Sequence, residues 1–523
     1  MVTKKLLDQK HGCYQAEKWE KYQALYEGGD AFKKLLPKFL PKRPEEKPVK
    51  YQYRLDQAFY RSLMNGAINQ FPAQLFQAPF AVRAVNAQRE AVEPDDFYTQ
   101  FKEDCDGKGT DLVDFLREVV KEAMVKKLCW AVAEFPRGQE QRATLSAGEY
   151  QSRGLGRAIV KMVRPDDVYD WETDEYGRLV WVLAHSETRK RMGIDQARGG
   201  QVTETWTLYD AQDVTVYQVS YDPSKPPKDD APIPQVDRYA HGYAEVPVLC
   251  LELPIGLWIA DIGADAQLQH FRMSNFLGYA LGQTCFPVPV MKVEPDNEPP
   301  KPGPGDALMM GPTEGLSFAG PSAESFDVLA REVDKQELVF YRLCHQGNLA
   351  NENSEAAAGR SADSKIQDDM ATEVFLHAVA SHVKDFVERL YSLNSAGRGE
   401  TYTWSVEGLN TFRVSAASDV VAVTAQALMI GVQSPTFIRE LHKKVVSVTL
   451  DDNLIQSTKD KINSEIDASN PELTPLRSPG FNNEQGSTNQ QTSGNADSTN
   501  GAPDIAKELP RPNGARETNQ RRN

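Results

Sequence analysis

Residues 264–283, ADAQLQHFRMSNFLGYALGQ, and residues 322–346, SAESFDVLAREVDKQELVFYRLCHQ, decide how this chain is read. In the first, Ala264, Leu268, Phe271, Phe276, Ala280 and Leu281 recur at helical spacing on one side, with Gly278 and Gly282 weakening the helix. The second has Ser322 as a capping hydroxyl, Pro321 just outside, and Glu324 and Asp327 in the first turn, where the helix dipole favours carboxylates. Its apolar stripe is Phe326, Leu329, Ala330, Val333, Phe340, Tyr341 and Cys344. Such a helix would be about 37 Å long at ~1.5 Å per residue, a length that usually needs a partner.

Between the two, prolines 287, 289, 295, 299, 300, 302, 304 and 312, with glycines 303, 305, 311, 315 and 320, exclude continuous helix. Apolar runs at 288–293 and 307–310 can form small strands. After the second helix, QGNLANENSEAAAG (346–359) breaks the periodicity. A third helix then spans about 361–393 with Phe375, Val379, Val383, Phe386, Leu390 and Leu393 on one side, closed by Gly397 and Gly399.

Outward from this core, residues 17–26 read as a short helix and the basic, proline-rich 33–50 as a linker, making 1–50 a separate arm. Residues 51–80 are helical in pattern, with Leu55, Phe59, Leu63 and Ala67 four apart. Residues 111–128 form a second helix, and 130–135 an apolar strand. Five β-like runs follow at 158–163, 179–185, 204–209, 215–219 and 246–251, so this part is α+β. Strands at 401–406 and 411–414 and helices at 418–430, 435–446 and 451–466 follow. Beyond Pro471 the chain is dominated by Asn, Gln, Ser, Thr, Gly and Pro and is expected to be disordered.

Composition sets outer bounds. The 523 residues can bury sizeable cores in two or three units. No apolar run reaches the ~20 residues of a membrane span, and MVTKKLLDQKHGC lacks the apolar segment of a signal peptide. Cysteines 13, 105, 129, 250, 285 and 344 form no CxxC pair and read as reduced, partly buried thiols. A net charge of −15 argues against a protein built to grip phosphates, though it can also serve solubility alone.

Catalytic signals are weak. Asp166, Asp167 and Asp170 could suggest a Mg or Ca site, but a Pro-Asp-Asp turn explains them better. GKGT (107–110) lacks the spacing of a phosphate loop. His241, His270, His345, His377, His382 and His442 form neither HExxH nor any other zinc pattern, and no GxSxG is present. The expectation is a non-enzyme with no catalytic residue, metal or cofactor.

The layout, with the words YRLDQAFY (53–60), LMNGAINQFPAQLFQAPF (63–80), VRPDDVYDWE (163–172), HGYAEVPVLCLELP (241–254), ADAQLQHFRMSNFLGYAL (264–281) and NENSEAAAGRSADSK (351–365), resembles the portal protein of tailed bacteriophages. The resemblance covers roughly residues 50–470 and lies in the order and spacing of words that are individually degenerate. It implies a portal-like α+β fold: wing at 51–255, stem helix at 256–284, clip at 285–321, second stem helix at 322–346 and tunnel loop at 347–360. The long helix and the second part of the wing would occupy 361–415, crown-like helices 416–470, and the tail 471–523.

It further implies a homo-oligomeric ring of about twelve subunits at one capsid vertex of a virion, assembled in the bacterial cytoplasm. Double-stranded DNA would pass through the channel. The partners implied are the major capsid protein, scaffold, terminase large subunit and head–tail adaptor, with no membrane. Asn348, Asn351, Asn353 and Arg360 would then be the DNA-facing tunnel-loop candidates, and Phe326, Val333, Phe340, Tyr341, Phe271 and Phe276 the subunit-packing candidates of the stem. The alternatives are another virion adaptor or scaffold, or a metal-dependent hydrolase using Asp166, Asp167 or a histidine.

Overall fold

The computed structural model describes residues 2–85, 91–92, 95–135, 157–190, 200–285, 288–292, 315–319, 323–346, 362–410, 412, 421, 424–428, 434–450 and 456–469. The chain divides into two compact units, Met1–Val414 and Ser415–Asn523.

At the centre of the first unit, α7 (Leu112–Lys126) follows α1 (Lys4–Leu7), α2 (Ala16–Glu27), α3 (Gly29–Phe39), α4 (Pro48–Asp56), α5 (Leu63–Leu75) and α6 (Asp96–Glu103). The Asp111 carboxylate caps α7 by accepting the Asp114 N–H at 2.7 Å. Leu112, Leu116, Val119, Val120 and Ala123 are wholly buried between α2, α5 and a three-stranded antiparallel sheet. That sheet, in order β10-β3-β4, comprises β3 (Leu128–Glu134), β4 (Ile159–Val163) and β10 (Val248–Glu252). Residues 128–133 of β3 are all buried, so the strand reads as an unbroken apolar run rather than an alternation.

A five-stranded antiparallel meander is formed by β5 (Val168–Thr173), β6 (Leu179–Lys190), β7 (Gln201–Asp210), β8 (Asp213–Tyr221) and β9 (Gln235–Ala240). The sequence pattern misses β5 and β9. In β9 every position is exposed or half-buried, and a register shift between Val168 and Asp170 disturbs the alternation of β5. A third sheet pairs β1 (Ala81–Val85) with β2 (Ala91–Val92) and with the distant β13 (Thr403–Glu407).

Three long helices complete the unit: α8 (Ile259–Cys285), α9 (Ala323–Leu343) and α10 (Ala362–Gly397). Between α8 and α9 lies an antiparallel hairpin, β11 (Val288–Lys292) with β12 (Gly315–Ala319). The expected run at 288–293 is therefore a strand, but its partner is 315–319, and 307–310 lies outside the described residues. At the end of α10, Gly399 has φ +76°, and the Glu400 N–H returns to the Ser395 carbonyl at 2.8 Å. Gly397 serves closeness instead: a Cβ there would stand 2.7 Å from Phe135 and 2.8 Å from Tyr243.

Two readings of the N-terminal third are corrected. Residues 1–50 are not a separate arm: helix continues from 29 to 39 through Pro37, and Phe32, Leu35, Leu36, Phe39 and Leu40 join the main core. Five buried apolar side chains in that stretch outweigh the proline and lysine content. The N-terminus itself lies on the meander, with Lys4 and Lys5 N–H groups donating to Ala231 and Asp229 carbonyls at 3.0 and 2.8 Å. Leu7 joins Leu183, Trp206 and Ile233 in a satellite core. The helical pattern of 51–80 is likewise interrupted. Ser62 caps a new helix by accepting the Asn65 N–H at 3.0 Å, and Phe59, placed in the expected stripe, is 70% exposed in the connection.

In the second unit α11 (Pro435–Leu450) packs with α12 (Gln456–Ala468), tied by Lys443 to Asp467 at 2.7 Å. Ser434 accepts the Phe437 N–H at 3.3 Å, as its place before the helix suggests. Most of 411–430 and all of 471–523 lie outside the described residues.

Candidate assembly and channel surfaces

The paired helices α8 and α9 are rooted in the core by close contact and by hydrogen bonds. A Cβ on Gly263 would stand 2.8 Å from the Phe340 ring and 3.0 Å from Cys344 Sγ, so glycine permits the helices to approach there. Burial pushes the Cys344 thiol up to about 12, which makes it a packing group rather than a nucleophile. One turn on, Gln267 is fully buried. Its Oε1 accepts the Leu63 and Met64 N–H groups at 2.8 and 3.1 Å, and its Nε2 donates to the Arg61 carbonyl at 3.0 Å. A side chain of α8 thereby satisfies the orphan donors of α5.

Further along α8, Arg272 donates to the last carbonyl of α3, Phe39 O, at 3.0 Å. Asn275 grips the Phe59 backbone twice, accepting its N–H and donating to its carbonyl, each at 2.9 Å. The imidazole of His270, 5% exposed, lies 3.9 Å from Glu337 of α9, which also holds Arg61 at 3.2 Å. Burial lowers the His270 pKa, and Glu337 opposes that shift.

The six stem candidates divide. Phe340, Phe271 and Tyr341 are buried within the chain itself; Phe271 meets Phe32 and Tyr60 edge-on at 5.0 and 5.7 Å. These three are corrected from seam residues to core residues, because the protomer already buries them: Phe271 lies against Phe32 of α3, and Phe340 against Gly263 of α8. Phe326 and Val333 are half-buried, and Phe276 is 43% exposed. Among the described residues the outward large apolar side chains of the pair are Phe276, Tyr279 and Leu281 on α8 and Val328 and Leu343 on α9. Sequence periodicity found the stripe but could not say which part the chain would cover itself.

Asn348, Asn351, Asn353 and Arg360 lie outside the described residues. The approach to them is held firmly. His345 takes φ +57°, its N–H reaches the Arg342 carbonyl at 3.2 Å, and the Gln346 N–H reaches Tyr341 at 2.8 Å. That is a Schellman closure with histidine where glycine is usual. The His345 ring stacks on Phe375 of α10 at 5.2 Å, Thr372 donates to its carbonyl, and the buried Gln346 amide donates to Ala67 O at 2.8 Å.

The acidic and histidine candidates resolve into structural contacts. Asp166 and Asp167 sit in a single 3₁₀ turn, and Asp170 lies in β5. The Asp166 carboxylate pairs with Lys126, which is 3% exposed and also 2.8 Å from Glu122. Among the described residues no group of His, Cys, Asp or Glu could hold a metal ion. In the GKGT loop, Asp106 accepts the Lys108 and Thr110 N–H groups and Asp104 that of Gly109, so the donors a phosphate would need are taken. His241 is bound to the Asp210 carbonyl and the Tyr243 N–H, and His377 packs on Phe412. No described helix is long and apolar enough to cross a membrane.

No protein-family profile matches this sequence, and no curated protein matches it. Among solved structures, a chain of the virion of a native gene transfer agent particle is similar at 10% identity, with 80% of this chain and 96% of that chain covered and a TM-score of 0.40. A chain from the neck of an empty gene transfer agent particle, computed with C6 symmetry, is similar at 10% identity over 84% of this chain and 94% of that chain, with a TM-score of 0.38.

Proposed function

We propose that this chain is a portal-type head component of a phage-like particle, closing into a ring whose axial channel passes double-stranded DNA during packaging and ejection. The observation that carries the reading is the run from α8 to α10. Two long helices rooted in the core bracket a small hairpin, and a third long helix follows after residues 347–361. This is the order of stem, clip, stem, tunnel loop and long helix that the sequence resemblance implies. Outward apolar side chains on α8 and α9 supply surface for neighbouring copies. The net charge of −15 suits a conduit that must let a polyanion slide without sticking.

In this reading the ring replaces one capsid vertex, docks the terminase and the head–tail adaptor, and hydrolyses nothing itself. Negative-stain images of purified full-length protein test it. Rings of about twelve subunits with a central hole are expected. Solid monomers or pairs under assembly-permissive conditions would overturn it, and a solid higher oligomer would favour an adaptor or scaffold.

A further inference from the structure

A cleft of about 330 Å³ opens where β10, β3, β5 and α10 meet. It gathers three stretches singled out in the sequence: Trp171 of VRPDDVYDWE, Cys250 and Glu252 of HGYAEVPVLCLELP, and Asp385 and Arg389 of the long helix. The proposed DNA conduit uses none of these side chains.

Three features of the cleft point to the same kind of occupant. The first is a free strand edge. Among the described residues β10 is the outer strand of its sheet and pairs only with β3. The Ala133 N–H donates to the Pro247 carbonyl at 2.9 Å and the Leu253 N–H to the Lys127 carbonyl at 2.8 Å. With Cys250 opposite Trp130, that register turns the backbone groups of residues 247, 249, 251 and 253 toward β3. It therefore turns the N–H and C=O of Cys250 and Glu252 the other way, toward the open edge.

The second feature is a buried donor. Trp130 is 2% exposed, lines the cleft, and its indole N–H has no hydrogen-bond partner among the described residues. A buried donor left unpaired costs about 1–3 kcal/mol, so an acceptor at this spot is favoured. The third is a matched pair at the rim. Asp385 and Arg389, both exposed on successive turns of α10, make no ion pair among the described residues, with each other or with a third group. Glu252 is already neutralised by Lys127 at 2.6 Å. His382 and Thr173 also line the cleft; its unpaired charged groups are one acceptor and one donor, and the wall is aromatic, with Trp171 edge-on to Trp130 at 5.1 Å.

A carboxylate would suit Arg389 and Trp130 but not Asp385, and an ammonium would suit only Asp385. A peptide group suits all three, because it carries an acceptor and a donor side by side and can pair with a strand edge. We propose that this cleft binds a short extended segment of another polypeptide chain, added as a strand beside β10. An apolar side chain of that segment would rest against Trp171, and a peptide group between Asp385 and Arg389 would present its carbonyl to the Trp130 indole N–H.

Calorimetric titration of the full-length protein with the blocked peptide acetyl-Gly-Leu-Gly-amide tests this. Saturable binding is expected, weakened about fivefold or more by Arg389→Ala and by Asp385→Ala, which change exposed residues and leave the fold intact. The same peptide methylated on the leucine nitrogen should lose binding, since it can no longer donate to a strand edge. Trp130→Phe should also weaken binding; because it alters the core, its thermal unfolding is recorded alongside. Absence of binding at millimolar peptide, equal binding of the methylated peptide, indifference to both rim variants, or tighter binding of propionate than of the peptide would each overturn the proposal.

Discussion

His270 shows how burial makes a single imidazole a determinant of stability. Its ring is packed between α8 and α9, with Glu337 and Asp334 on α9 favouring the charged form and Arg61 opposing it. Desolvation is the largest influence and lowers the pKa below the ordinary value of 6.5. The unfolded chain therefore binds the proton more readily than the folded one, and stability is complete above the ordinary value and is lost as pH falls below it. His185 and His345 are shifted the same way by burial and add to the slope. Denaturant unfolding between pH 7.5 and 5, a range of about 2.5 units around the imidazole value, should show stability falling toward acid. His270→Gln should flatten part of that fall; an unchanged profile would remove His270 as a contributor.

At the scale of elements, the joint between α8 and α5 depends on one amide. Gln267 satisfies two N–H groups at the start of α5, and Ser62 satisfies a third. Gln267→Met keeps most of the volume and removes the acceptor, leaving buried donors unpaired. A loss of about 1–3 kcal/mol is expected, read from the shift in the unfolding midpoint, with Ser62→Ala costing about 1 kcal/mol. Periodicity located α8, α9 and α10, because each carries an apolar stripe long enough to outweigh its glycines. It missed α3, where Pro37 and the lysines around it read as linker, although Phe32, Leu35, Leu36 and Phe39 are spaced three and four apart. That spacing was the available signal.

For the whole molecule, the proposed ring needs a surface that the folded protomer leaves uncovered. Phe340 cannot supply it, and Phe340→Asp would place a charge in the protomer's own core and unfold it. Val328 of α9, 62% exposed, can. Val328→Asp should leave the melting temperature of the protomer unchanged while costing about 2–5 kcal/mol per seam, so that native mass measurements show fewer rings at equal concentration. Rings persisting at wild-type yield would exclude this face of α9 from the seam.

The sequence by itself determined the order of elements in the central region, the mixed helix and sheet character, the turn around Pro165 and the packed rather than reactive nature of Cys105, Cys129 and Cys344. Those depend on local spacing, on proline and glycine, and on side-chain chemistry, all legible along one dimension. Only the tertiary structure decided which apolar stripe residues the chain covers itself, that residues 16–40 belong to the main core, that β1 finds β13 more than 300 residues away, and that β10 keeps one edge unpaired among the described residues. Each of these depends on which distant segment packs against a surface, and an amphipathic stripe is the same whether a sister helix or a second copy lies against it.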